Sequence, residues 1–362
     1  MFIFLENGFC ISPQDIDINI NAALSQGYDD NITFIKFNRR KDLFNRLSLG
    51  VSGGYAGKRR RMRLNLALAQ QLFYRYDTFN NNSQNISFSL QQDFSRYQRV
   101  SLSNTFSHSY EPRSFLDAFG RTTGRYGYYR NRFALDYGQD VNRRLRWGLN
   151  YGQDIDIASR SDIGNSYAQR IGVNADYLFG SRFSAELSYL FSRRSFDPGK
   201  DAITHNLSLG AKYYFVSRFF AHGSAGWDIV RSYDNRDYLR PFFDASLSGD
   251  IDKNTQINLG FGQRYYTNAY TRDLFGYRQV SAELRRNMQE RLSCRISGFY
   301  GQGKYLALDI RDRLKGGMLT FVYDLSRNTR LDFSYLYTDV ASNLDSREYK
   351  KNSLTLGYSI KF

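Results

Sequence analysis

Two cysteines, three histidines and four prolines in 362 residues leave little material for several kinds of protein. Cys10 precedes the first strand and Cys294 stands on an apolar face in RLSCRIS, so the two thiols read as unpaired, and their spacing matches no metal-ligand motif. No small residues precede Cys10 in ENGFC as they would a lipidated cysteine. The histidines offer no nucleophile beside His222 and no Asp-x-His pair, so neither enzymatic activity nor a cofactor or metal is expected. Also missing is any apolar run near the roughly 20 residues of a spanning helix, which excludes a helical membrane protein. Without a Pro/Ser-rich linker or a composition shift, residues 15–362 read as a single domain.

Aromatics and glycine are plentiful: 29 Tyr, 29 Phe and 29 Gly. They fall into a period of two. In RLRWGLNYGQ, Leu145, Trp147, Leu149 and Tyr151 alternate with Arg146, Gly148, Asn150 and Gly152. MRLNLALAQQLFYRY sets Met62, Leu64, Leu66, Leu68, Leu72 and Tyr74 against Arg63, Asn65, Ala67, Gln71 and Arg75. The final SLTLGYSIKF does the same with Leu354, Leu356, Tyr358, Ile360 and Phe362. Such alternation predicts strands with one apolar and one polar face. Tight basic turns fall near Lys58, Arg96, Arg143, Ser181, Ser217, Asp252, Gln289 and Ser326, with longer polar loops between them. The hairpin repeat is about 37 residues, which gives an all-β chain of about 18 strands (16–18) with both termini on the short-turn side.

Long two-faced strands, short turns on one side and a Tyr/Phe-rich apolar face predict a transmembrane antiparallel up-and-down β-barrel of the bacterial outer membrane. In lipid every backbone polar group must be paired within the protein, which a closed sheet achieves. A propeller or sandwich is the soluble alternative, but Arg and Asp in mid-strand speak against a sheet buried on both faces. The partners this implies are outer-membrane lipid and the barrel-assembly machinery. The ending, with Thr355, Gly357, Ile360 and Phe362, is similar to the carboxy-terminal signal that such barrels present to that machinery. Residues 1–14 lack a positive n-region and carry Glu6, so they read as an amino-terminal remnant whose export signal is missing or truncated.

The formal net charge of +15 would suggest nucleic acid in a soluble protein, but here the basic residues are spread round a ring. Pore-lining candidates by strand parity are Arg46, Arg63, Arg75, Arg132, Arg146, Lys212, Arg285 and Arg295, with Asp136, Asp176, Glu186, Asp228, Asp244, Glu283 and Asp332. The lumen is thus mixed in sign. The excess forms a periplasmic basic rim of Lys58, Arg59, Arg60, Arg61, Arg96, Arg143, Arg144, Arg218, Arg291 and Arg327. It suits anionic headgroups or a funnel for an anionic polymer.

The stretch INAALSQGYDDNITF carries Gly27, Tyr28, Asp29, Asp30 and Asn31. It is followed by a Gly-rich strand, a basic turn and a long aromatic-ended strand, and so resembles the β-barrel porin-2 group over residues 15 to about 110. That group includes barrels accompanying exopolysaccharide and exosortase (PEP-CTERM) gene clusters. The resemblance implies a conduit or accessory component for exopolysaccharide export, with an anionic polysaccharide and periplasmic export components as partners. Alternatives are a general or solute-selective diffusion porin, or a sheath for a periplasmic electron-transfer partner. Porins usually narrow their lumen with one long infolded loop; the longest candidate here, residues 111 to 126 with Phe115 and Phe119, is rather short for that.

Overall fold

The computed structural model describes residues 16–112, 114–119, 124–160, 163–197, 199, 201–232, 236–267 and 273–362. Residues 1–14, read above as a remnant, lie outside the described residues, as does Cys10. The strands are β1 (Ile16–Asp29), β2 (Asp42–Ala56), β3 (Arg60–Phe73), β4 (Asn81–Asp93), β5 (Gln98–Ser109), β6 (Tyr128–Asp140), β7 (Leu145–Ala158), β8 (Asn165–Leu178) and β9 (Phe183–Asp197). They continue as β10 (Ala202–Val216), β11 (Phe219–Arg231), β12 (Asp237–Asp250), β13 (Thr255–Thr267), β14 (Leu274–Gln289), β15 (Leu292–Tyr305), β16 (Arg311–Asp324), β17 (Thr329–Ser342) and β18 (Tyr349–Lys361). One helical turn, α1 (Phe115–Ala118), lies between β5 and β6. Each strand pairs antiparallel with the next, and β18 pairs with β1, so the sheet closes as an 18-stranded barrel. Strands of 12 to 16 residues exceed the roughly 9 to 11 needed to cross the hydrocarbon. Their surplus builds walls beyond the membrane.

The tight turns share a local code. DFSRYQR, DVNRRLR and DLSRNTR each begin with the last residue of one strand and end within the next. In all three the second residue's N–H donates to the carbonyl four residues on: Phe94 to Gln98 (3.0 Å), Val141 to Leu145 (2.9 Å) and Leu325 to Thr329 (3.0 Å). The third side chain, Ser95, Asn142 or Ser326, accepts from the N–H two residues later. The terminal pair closes the turn as an ion pair, Asp93–Arg99 (2.6 Å), Asp140–Arg146 (2.6 Å) and Asp324–Arg330 (2.7 Å). Short polar side chains compete for local backbone donors, which is why they recur at the same turn position. Arg96, Arg143 and Arg327 occupy the fourth position and stay exposed, so these three members of the basic rim follow from repetition of one turn.

The closing seam carries its own lock. Nine residue pairs join β1 to β18, from Asn21↔Lys361 to Asp29↔Ser353, against fourteen joining β1 to β2. The Gly27–Asn31 motif supplies the rest. Gly27 to Asp29 end β1 rather than forming a loop, and a Cβ at Gly27 would lie 2.3 Å from the Phe44 ring. Asp29 pairs with Lys351 at 2.6 Å, Asp30 accepts from the Asn352 backbone and side chain at 2.6 Å each, and the Asn31 amide donates to the Lys350 carbonyl at 2.8 Å. At the other end of the seam the Phe362 N–H donates to the Ile20 carbonyl at 2.8 Å.

Candidate functional site: a loop folded across the lumen

Many of the residues most buried in this barrel come from inward strand positions and from loops that dip inside. One cluster joins Phe34 of the β1–β2 loop and Ala118 and Phe119 of the β5–β6 loop to Phe275, Tyr277, Phe299, Tyr305, Leu314, Val340 and Tyr349 on β14–β18. These inward aromatics break the polar-in rule; a smaller inward cluster, Phe44 and Phe73 with Ile32, does the same on β2–β3.

The β5–β6 loop is built to reach that wall. Ser114 caps α1, its hydroxyl accepting from the Asp117 N–H at 3.0 Å. This presents Phe115 and Phe119 four residues apart on one side of the turn. Phe119 meets Phe275, Tyr277 and Phe299 edge-on, with ring centroids 5.1, 5.9 and 5.9 Å away, while Phe115 stacks on Phe299 at 6.0 Å. Glycines form the seat: a Cβ at Gly316 would lie 2.3 Å from the Phe115 ring, and one at Gly301 would lie 2.9 Å from the Phe119 ring. In a ring of 18 strands, β6 and β15 are nine apart and face each other across the lumen. The loop therefore crosses the pore. Its length is sufficient after all, because Phe115 and Phe119 reach β14–β16 while Asp117 of the same turn is held by Arg130 of β6. Gly316→Ala is expected to push Phe115 off its seat, measured as faster proteolytic cleavage within the loop; cleavage at the wild-type rate would contradict the seat.

Charge holds the near side. Asp117 accepts from Arg130 at 2.9 Å, and Arg130 also donates to Asp156 at 2.7 Å. Asp156 receives Arg194 at 3.2 Å, and Arg170 grips Asp154 with two parallel bonds of 2.8 and 2.9 Å. At the loop's root Glu111 accepts from Arg125 at 2.9 Å and lies 3.5 Å from Lys351, whose ammonium sits 4.0 Å over the Phe34 ring. Burial pushes the Glu111 carboxyl up, but Lys351 and Arg125 more than offset this and hold it at about 2. Phe34 adopts a left-handed backbone (φ 55°), a conformation unfavourable for a bulky side chain, to place its ring there.

Two spaces remain beside the loop. One of about 650 Å³ lies against β12–β18 and is lined by Ser246, Ser248, Asn258, Ser281 and Ser297 together with apolar groups such as Phe299, Met318 and Leu336. The other, about 390 Å³, lies against β1–β5 beside Arg46, Ser48, Ser83 and Asn85. Glu111 and Pro112 border both, so the loop's root divides the lumen.

Parity puts Arg46, Arg63, Arg132, Asp136, Arg146, Asp176, Glu186, Lys212, Asp228, Asp244, Glu283, Arg285, Arg295 and Asp332 on the face opposite the exposed apolar rows of their strands. Several are engaged there: Glu283 with Arg285 (2.5 Å), Asp244 with Arg264 (2.6 Å), Asp228 with Asn206 (2.7 Å), and Lys212 over Phe220 (3.9 Å). Arg75 is a correction. It stands past the end of β3, because Asp42 accepts the Arg75 and Tyr76 N–H groups at 2.9 and 3.0 Å and turns the chain out of the sheet. Lys58 and Arg59 lie in the turn after β2, Arg60 and Arg61 begin β3, and Arg144, Arg218 and Arg291 sit in turns. Thr355 and Gly357 face inward on β18, with Gly357 leaving room for Asp332; Ile360 and the exposed Phe362 face outward. Sequence reading missed Glu111, Asp117, Arg125, Arg130, Asp154, Asp156, Arg170 and Arg194, although inward Phe275, Tyr277 and Phe299 were a legible sign that something covers them. Among the described residues no group of His, Cys, Asp or Glu converges to hold a metal ion.

Residues 240–362 match the family model described as putative beta-barrel porin 2. The match falls at the carboxy-terminal end, not on residues 15–110 where the resemblance is read above. No curated protein matches the chain. Among solved structures, OccK2 (OpdF) of Pseudomonas aeruginosa in complex with glucuronate is 10% identical, with 96% of this chain and 99% of that chain covered and a TM-score of 0.52. OccAB4 of Acinetobacter baumannii is 9% identical over 97% and 100% of the two chains, with a TM-score of 0.49. The siderophore receptor PirA of Acinetobacter baumannii is 8% identical over 94% and 80%, at 0.47. The chain is an outer-membrane β-barrel of porin-like fold, and across residues 240–362 it carries the pattern of the porin-2 family.

Proposed function

We propose that the protein is a diffusion channel selective for small hydrophilic solutes. The observation that carries this reading is the β5–β6 loop, seated across the lumen through Phe115 and Phe119 and anchored at both walls. An 18-stranded barrel left open would hold a wide aqueous channel; a loop across it sets a size limit. Serine, asparagine and charged groups along the remaining spaces give exchangeable hydrogen bonds to a passing solute, and the exposed basic rim raises the local concentration of anions at the periplasmic mouth. A partner protein inside the lumen, as an electron-transfer sheath requires, would compete with the chain's own loop.

Exopolysaccharide export is the second reading, favoured by the porin-2 match. A polymer would have to thread one of the two side spaces or displace the loop. Liposomes containing the purified barrel test the two readings. We expect monosaccharides and sugar acids to enter readily, and chains of ten or more sugars to be excluded. Entry of the long chains at comparable rates would overturn the channel reading in favour of the conduit.

A further inference from the structure

The outer face of β14–β16 departs from an ordinary lipid-facing wall near its extracellular end. Arg278, Lys304, Arg311, Arg313 and Lys315 share parity with the exposed Val280, Ile296, Tyr300 and Tyr323, so all five point away from the lumen, and all five are exposed. They sit on adjoining strands: Arg278 is opposite Gln302, Gln302 opposite Arg313, and Lys304 opposite Arg311. Each lies within the last turn or two of pleat before the extracellular loops, where outward charge is tolerated because the side chain reaches the headgroup layer.

Their charge is only partly compensated, since Asp339, which stands opposite Lys315, is held by Lys350. Asp309 is the one carboxylate paired with them among the described residues, 2.8 Å from Lys304 and 3.6 Å from Arg311. Arg278 donates to the neutral Gln263 at 2.6 Å, and Arg313 and Lys315 have no ion-pair partner among the described residues. By contrast, Arg193, Arg231 and Lys350, also outward near extracellular strand ends, are each paired, with Asp201, Asp237 and Asp339. Four of the cations, Arg278, Lys304, Arg311 and Arg313, border a groove of about 700 Å³ in the outer wall that Gln263, Tyr265 and Gln302 also line, and Lys315 lies two residues beyond Arg313 on the same face of β16. Gly276 provides its depth, since a Cβ there would lie 2.4 Å from the Tyr265 ring. Glu348 borders the groove but is held by Lys36 at 2.5 Å.

We propose that this groove binds the phosphorylated headgroup of a glycolipid of the outer leaflet, with its acyl chains lying along the apolar belt below. Arginine forks suit phosphate oxygens, and amide and phenol groups beside them suit sugar hydroxyls. The vertical order also fits, with cations at the headgroup level and Val280 and Ile296 beneath them.

Delipidated barrel in phosphatidylcholine nanodiscs, titrated with diphosphorylated lipid A and followed by native mass spectrometry, tests this. We expect one tightly held lipid per wild-type barrel. The fully dephosphorylated glycolipid should bind at least tenfold more weakly, an arm that needs no variant. Arg278→Gln/Arg313→Gln/Lys315→Gln should lose at least tenfold in affinity for lipid A, while Arg193→Gln/Arg231→Gln/Lys350→Gln should retain it. Equal binding of the dephosphorylated form, equal loss in the second variant, or equally tight binding of phosphatidylglycerol would each overturn the proposal.

Discussion

Replacing both Phe115 and Phe119 by alanine is expected to raise single-channel conductance severalfold while the barrel itself stays folded. Truncating a packed aromatic to alanine typically costs about 3–5 kcal/mol, and these two rings provide the aromatic contacts that dock α1 on β14–β16. A single helical turn has no stability of its own to keep it in place. The root holds through Glu111–Arg125 and the near side through Asp117–Arg130, both untouched, so the freed rings should swing within this tether and not leave the pore. The strand ladder does not involve either ring, so the unheated electrophoretic band should match wild type. Planar-bilayer recordings decide the matter: a variant with wild-type conductance and wild-type noise would mean that the loop does not narrow the path.

Lys351→Met should be the most damaging single change near the pore. Lys351 is 4% exposed and lies between Asp29 at 2.6 Å and Glu111 at 3.5 Å, so its loss leaves two carboxylates facing one another without their cation. Removing one partner of a buried pair costs about 3–5 kcal/mol. The pH dependence gives a second readout. In wild type the Glu111 carboxyl is held at about 2, below its ordinary 4.5, so the stabilisation it contributes is complete above pH 4.5 and fades as pH falls through about 2. In the variant the burial penalty is met only by Arg125 and, more weakly, Arg46, so the Glu111 value rises and acidification to about pH 4 should restore part of the lost stability by neutralising it. Lys351→Met/Glu111→Gln should recover likewise at neutral pH. Denaturant unfolding in detergent, compared at pH 7 and pH 4, would contradict this if Lys351→Met matched wild type at pH 7 or weakened further at pH 4.

Strand number, sidedness and turn positions were readable because a two-faced strand writes its geometry into every second residue, and five of the tight turns repeat one local hydrogen-bonding unit. Where local rules end, so did legibility. Arg75 continues the parity of β3 by sequence, yet Asp42, 33 positions earlier, captures its N–H and ends the strand. The infolded loop was harder still. Its seat is made by side chains and glycines from Phe275 to Gly316, more than 150 positions beyond Phe119, and no periodicity within residues 111–126 announces that partnership. Inward Phe275, Tyr277, Phe299, Leu314 and Val340 were the available clue: an apolar patch on a water-facing wall needs a cover, and the longest loop was the one able to supply it.

The seam between β1 and β18 bears on how such a ring can come into being. Asp29 and Ser353 face each other although 324 positions separate them (353 − 29), so this contact is almost as non-local as the chain allows. Contacts of that kind form late and slowly. Until they do, the backbone of Asn21–Asp29 and that of Ser353–Lys361 are bare edges, and each unpaired group exposed to hydrocarbon costs several kcal/mol. Closure and membrane entry are therefore one kinetic event: a half-zipped ring is tolerable only at the water interface or against another protein's strand that lends its own edge.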